Sequence, residues 1–247
     1  MTMLSILPRA ALVCVLAFSL GACGAAALDV AGALRLLPAA TPDGRDPIGV
    51  GGTCVLAGVS FDDDVTVPEG TACVLTEVTI DGNLVLARGA SVDASGGSVA
   101  GNVLVYPNAS YVAEGTVVGG NVQAERATLV SLLAAHVDGD VQTDRTSATV
   151  VARGSVAGNV QVDDGAVVRV DDVSVSGNVQ LEGNAGPITI DANRVDGNVQ
   201  LWSNGAIVVR DNAIEGDLQC ESNAPAPTGG DNAVGGDAEG QCSALGG

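Results

Sequence analysis

One phrase recurs ten times in this chain, and no other feature limits its fold as sharply. Val-x-Gly-Asn-Val-Gln begins at Val118, Val156, Val175 and Val195. Near-copies begin at Ile80, Val99, Val137, Ile214 and Val234, and a degenerate copy begins at Phe61. Successive starts lie 19 residues apart seven times and 20 apart twice. Within a copy the apolar residues alternate, as in Val156, Val160, Val162, Val168 and Val170. Period two means strands with one face in and one face out, not helices. A unit this short cannot bury its apolar face alone, so copies must stack into a continuous core. The sequence therefore predicts an all-β fold: a single-stranded parallel β-helix of about ten 19–20-residue coils. Its connections between parallel strands favour a right-handed wind. Ten coils at the strand spacing make a rod on the order of 50 Å long.

The bends have their own chemistry. The third position of the phrase is Gly in nine copies, either for a positive φ or to let backbone pass close to backbone. The fourth is always Asn or Asp, from Asp64 through Asn83, Asn102, Asn121, Asp140, Asn159, Asn178, Asn198 and Asp217 to Asp237. Stacked Asn amides can form a hydrogen-bonded ladder, which Asp is expected to interrupt. Gln123, Gln142, Gln161, Gln180, Gln200 and Gln219 form a second column. The expected inward set includes Val103, Val122, Val141, Val160, Val179, Val199 and Leu218. Aromatic residues are only 2% of the chain, so the core must be assembled from small branched side chains.

Formal net charge is −19, every positive residue is Arg, and there is no Lys. A field of that sign repels nucleic acid and anionic headgroups, so nucleic acid is not expected as a partner. Its plain role is to keep a long solenoid soluble. Residues 1–22 read as a signal peptide: Arg9 precedes an apolar run, residues 10–20, too short to span a bilayer comfortably. The run ends Leu20-Gly21-Ala22-Cys23, which resembles the lipobox of bacterial lipoproteins. That resemblance implies cleavage before Cys23 and attachment of diacylglycerol to its thiol, placing the chain on a membrane of the cell envelope. Gly24, in place of the Asp that marks inner-membrane retention in enteric bacteria, points to the outer membrane or cell surface. Residues 23–52 read as a tether, with a short helix over 25–37 that would cover the first coil. Residues 53–247 form the solenoid.

The repeat resembles bacterial β-solenoids of the bactofilin kind, whose short coils polymerise end to end. The tail, from Gly216-Asp217-Leu218-Gln219-Cys220 to Glu239-Gly240-Gln241-Cys242, is similar to that of a group of secreted bacterial β-helix proteins. Bactofilins lack the lipobox and this tail.

With Cys14 in the signal segment and Cys23 lipidated, Cys54, Cys73, Cys220 and Cys242 remain, an even number in an exported chain. Cys54 and Cys73 stand one period apart in matching phrases, so adjacent coils bring their Cα atoms within disulfide range. Cys220 and Cys242 then pair at the other end. Bridges at both ends, with Pro225 and Pro227 in the last coils, blunt exposed strand edges. They favour a closed unit over a filament.

Candidate sites are few. His136 is the only His, and no nucleophile or acid is tied to it by spacing, so no catalytic residue is assigned. Asp163-Asp164 and Asp171-Asp172 are possible ligand-facing acids and would suit Ca²⁺ if bends gather them; no resident metal is assigned. Trp202, the lone Trp, is a candidate sugar-stacking platform. The inventory favours a non-catalytic, envelope-anchored structural or binding rod, its partner an envelope glycan or another protein. The alternatives are a carbohydrate-binding or polysaccharide-cleaving β-helix, whose long loops short coils leave no room for, and a self-assembling solenoid.

Overall fold

The computed structural model describes residues 52–247. The signal segment, Cys23 and the proposed 25–37 helix lie outside the described residues. Those described form thirty strands in three parallel ten-stranded sheets and no helix. Each coil supplies one strand to each sheet. In the coil built around Val156 these are Ala148–Ala152, Ser155–Val156 and Val160–Asp163. Coils are numbered here from the one carrying Phe61 to the tenth, carrying Val234.

The register follows the phrase. Phe61 stacks on Ile80, Ile80 on Val99 and Val99 on Val118, and the column continues through Val137, Val156, Val175, Val195 and Ile214 to Val234. Where the spacing lengthens to 20 residues the extra residue lies outside the strands, so the columns do not slip. A one-residue slip would turn every inward Val outward, which is why strand register is held.

The core fills the space between the sheets. Val103, Val122, Val141, Val160, Val179, Val199 and Leu218 are fully buried in one continuous column. Full burial of each such side chain contributes about 1.5–3 kcal/mol. Tyr111 stands inward in a column between Val92 and Val130, and burial pushes its phenol pKa upward. Thr143 and Thr149 face each other in the core, with their hydroxyls 3.0 Å apart.

The third-position glycines are required by close approach, not by handedness. Gly177 does not have a positive φ. A Cβ there would lie 2.5 Å from Asn159 Oδ1 and 2.6 Å from the Gly158 carbonyl oxygen of the coil before. Asp63 holds this position in the first coil, where no earlier coil stands against it among the described residues.

The Asn/Asp column differs from expectation in one respect: Asp does not interrupt it. Each Oδ1 accepts the backbone N–H of its counterpart in the next coil. Asn102 accepts from Asn121 at 2.8 Å, and Asp140 accepts from Asn159 at 2.7 Å. The bond needs an acceptor, which a carboxylate supplies as well as an amide. Asp loses only the rung that Nδ2 would donate.

Candidate functional site

The third sheet presents the most regular outer surface. Its strands place Val and Leu inward at the first and third positions, so the residue between them must face out. That position holds the Gln column. Gln123 Nε2 donates to Gln142 at 3.1 Å, Gln180 to Gln200 at 2.7 Å, Gln200 to Gln219 at 2.8 Å and Gln219 to Glu239 at 3.0 Å. Two residues on, a second outward column runs Glu125, Asp144, Asp163, Glu182, Trp202 and Glu221. Amides and carboxylates thus lie side by side at the coil spacing. In coils 3–6 the two columns line a shallow groove of about 410 Å³, with Tyr106 at one end and Asp163 at the other.

Asp163 is a partly buried acid on this face. Partial burial raises its pKa, the hydrogen bond from Gln161 Nε2 at 2.9 Å opposes the rise, and the charges of Glu182 and Asp144 add to it. Trp202 stands two coils further along the same column, half-buried. The structure therefore gathers Asp163 and Trp202 on one face. It does not gather the other candidates with them. Asp164 occupies a positive-φ corner, Asp171 ends a strand of the first sheet, and Asp172 occupies the next corner. Asp171 is instead paired with Arg169 at 2.6 Å. Among the described residues no group of three or more His, Cys, Asp or Glu side chains is placed to hold a metal ion.

Sequence reasoning missed one group. His136 lies outward on the second sheet, directly in register with Ser155 of the next coil. Its Nδ1 is hydrogen-bonded to Ser155 Oγ, and its Nε2 lies 2.8 Å from Asp138 Oδ1. The signal was present: Ser155 is one period after His136, and Asp138 is two residues on, on the same face of the chain. Spacing along the sequence alone does not reveal it; spacing modulo the coil does.

Both ends are stapled. Cys54 is bonded to Cys73, Cα atoms 4.5 Å apart, and Cys220 to Cys242, 5.3 Å apart. Two disulfides suit an oxidising, exported environment. No protein-family model, curated protein or solved structure matches the chain.

Proposed function

We propose that this protein is an exported rod, lipid-anchored through Cys23 to the cell envelope, that works by binding an envelope glycan rather than by turnover. The observation that supports this most is the third-sheet face, a repeating set of amide donors and carboxylate acceptors on a stiff frame. A polyhydroxylated chain presents donors and acceptors at regular intervals, which is what such a face can satisfy. The groove lined by Tyr106, Gln123, Gln142, Gln161 and Asp163 gives it a shaped starting point. The frame is rigid because its register is fixed in three sheets and its ends are bridged. The strong negative charge directs the choice toward neutral or cationic glycans.

The test is a pull-down of purified protein with insoluble envelope polysaccharide, followed by titration with soluble fragments. Wild-type protein is expected to bind, and replacing Gln142, Gln161 and Gln180 together by Ala is expected to weaken binding tenfold or more, about 1.4 kcal/mol. These side chains face out, so the variant keeps its fold. Equal binding by the variant, or none by either protein, overturns the reading. The anchor is tested separately: Cys23→Ser should release the protein from membranes and abolish fatty-acid labelling.

A further inference from the structure

We propose that Ser155 is an activated nucleophile that takes an acyl group from an activated ester. Parallel pairing of His136 with Ser155 holds the two side chains over one another at the coil spacing. Asp138, two residues along the same strand face, reaches the far side of the ring. A carboxylate only accepts hydrogen bonds, so Asp138 fixes the ring proton on Nε2. Nδ1 is left with its lone pair toward Ser155, which makes the imidazole an oriented base for that hydroxyl. This is the hydroxyl–imidazole–carboxylate relation that raises the nucleophilicity of a serine.

The surroundings decide which acyl donors qualify. Three backbone N–H groups around Ser155 are already engaged: Ser155 donates to Ala135 at 3.0 Å, Ala157 to Val137 at 2.9 Å, and Ser174 above it to Gly154 at 3.1 Å. With the N–H groups of Ser155 and Ala157 occupied, the described residues offer no free pair of alternate donors along this strand for the carbonyl oxygen of an incoming ester, so stabilisation of the tetrahedral oxyanion is left to water. The site is also open, with the His136 and Asp138 side chains 48% and 54% exposed. Such a site acts only on esters whose leaving group departs easily, such as aryl esters, and imposes little selection on the acyl part.

The step balances without an oxidant or reductant. Ser155 Oγ attacks the carbonyl carbon as its proton passes to Nδ1. The intermediate collapses by breaking the bond to the leaving oxygen, which departs with the proton from Nδ1. The products are O-acyl-Ser155 and the free alcohol or phenol. The acyl group is carried on the rod's outer face, a covalent modification distinct from the glycan face on the third sheet.

The sequence makes the test clean. The chain has no Lys, so no side-chain amine competes for the acyl group. Cleavage after Arg153 and Arg169 frees the peptide 154–169, in which Ser155 is the only hydroxyl-bearing residue. Full-length protein is treated with 4-nitrophenyl acetate, digested and mapped by mass spectrometry, with peptide 170–194, which carries Ser174, Ser176 and Thr189, as the internal control. The expected result is an acetyl group on 154–169 well above the control peptide. His136→Gln is expected to slow that labelling about 100-fold or more, the usual worth of a positioned base. Asp138→Asn slows it as well, because an amide can donate to Nε2 and move the ring proton to Nδ1. Ser155→Ala removes the label. Unchanged circular dichroism shows that each variant is folded. Equal labelling of the two peptides, or full labelling of His136→Gln, overturns the proposal.

Discussion

The corner that follows the second strand and the two corners that flank the first sheet use the same side chain under different dielectric conditions. The first carries the Asn/Asp column along all ten coils, half-exposed for most of its length. Four of its ten positions are Asp: Asp64, Asp140, Asp217 and Asp237. The other two corners are buried. In the early coils small or apolar residues fill them, such as Ala90, Ala109 and Ala127 in one and Val78 and Ala135 in the other. In the last coils Asn takes over, as Asn184, Asn204 and Asn223 in one column and Asn193, Asn212 and Asn232 in the other. None of these six is Asp. Near water, a carboxylate and an amide serve equally as acceptors. Inside, the amide is needed because each Asn must also donate.

Asn204 shows the full accounting. Its Oδ1 accepts the Asn184 backbone N–H at 3.0 Å and Asn184 Nδ2 at 2.9 Å. Its Nδ2 donates to the Leu181 carbonyl at 2.8 Å and to Asn223 Oδ1 at 3.2 Å. The column ends when Asn223 donates to Gln241 Oε1, and its neighbour ends when Asn232 Nδ2 donates to the Leu245 carbonyl at 2.8 Å. Both end groups belong to the turn that Cys242 pins to Cys220. The C-terminal bridge thus holds in place the acceptors that terminate two buried ladders. Among the described residues the N-terminal bridge has no such buried Asn ladder to close.

The sharpest way to break this comparison is Asn204→Asp. The carboxylate keeps both acceptor bonds from Asn184 but loses both donors and faces the Leu181 carbonyl and Asn223 Oδ1. An uncompensated buried charge of this kind costs about 3–5 kcal/mol. Burial raises the pKa of such a group in the folded state. The deficit is therefore largest at neutral and higher pH and shrinks as acid protonates the side chain. A urea midpoint measured across pH checks the sign, and amide exchange should speed up in coils 7–10 before coils 1–6. A deficit that does not change with pH would show that the corner is wet and the contrast unfounded.

Much of this architecture was legible from the repeat. The ten starts stack as one column, the inward Val set is buried, and both cysteine pairs fall at adjacent coils. Alternation and period are properties of the whole array, so they survive degenerate copies such as Phe61. The buried Asn ladders were harder to see, because Asn184, Asn204 and Asn223 lie outside the recurring phrase and read as loop polar residues. The Ser155–His136–Asp138 group was hidden for a related reason: its members come from adjacent coils, and only the register brings them together. The third-position glycine was visible, but its cause was not. Its requirement comes from the neighbouring coil, not from its own φ.

That cause predicts a middle-sized effect. Gly177→Ala places a Cβ 2.5 Å from Asn159 Oδ1 and 2.8 Å from the Gly158 carbonyl carbon, so the coils must part locally. Overpacking of this kind costs about 1–3 kcal/mol. Asp63→Ala, at the same position of the first described coil, should cost almost nothing by the same melt. Equal losses at the two positions would mean that glycine serves the bend itself.

The smallest effect is expected from Asn102→Asp, the outer-corner counterpart of Asn204→Asp. Asn102 Oδ1 accepts the Asn121 backbone N–H at 2.8 Å and Asn121 Nδ2 at 3.2 Å, and a carboxylate accepts both. The only bond lost is the rung from Asn102 Nδ2 to Asn83 Oδ1 at 3.2 Å, in a half-exposed setting where water can replace it. Neither neighbour in the column is Asp, since Asn83 lies on one side and Asn121 on the other, so no like-charge pair is created. A lost exposed hydrogen bond is worth at most about 1 kcal/mol, and the two stronger charge-assisted bonds that remain offset part of it. The urea midpoint should therefore move by less than a third of the shift produced by Asn204→Asp, with an unchanged slope. The same chemical change is thus made at two corners of one molecule and differs only in burial. Similar losses at both sites would mean that the Asn/Asp distribution does not follow dielectric environment, and the occurrence of Asp140 and Asp217 in the outer column would need another cause.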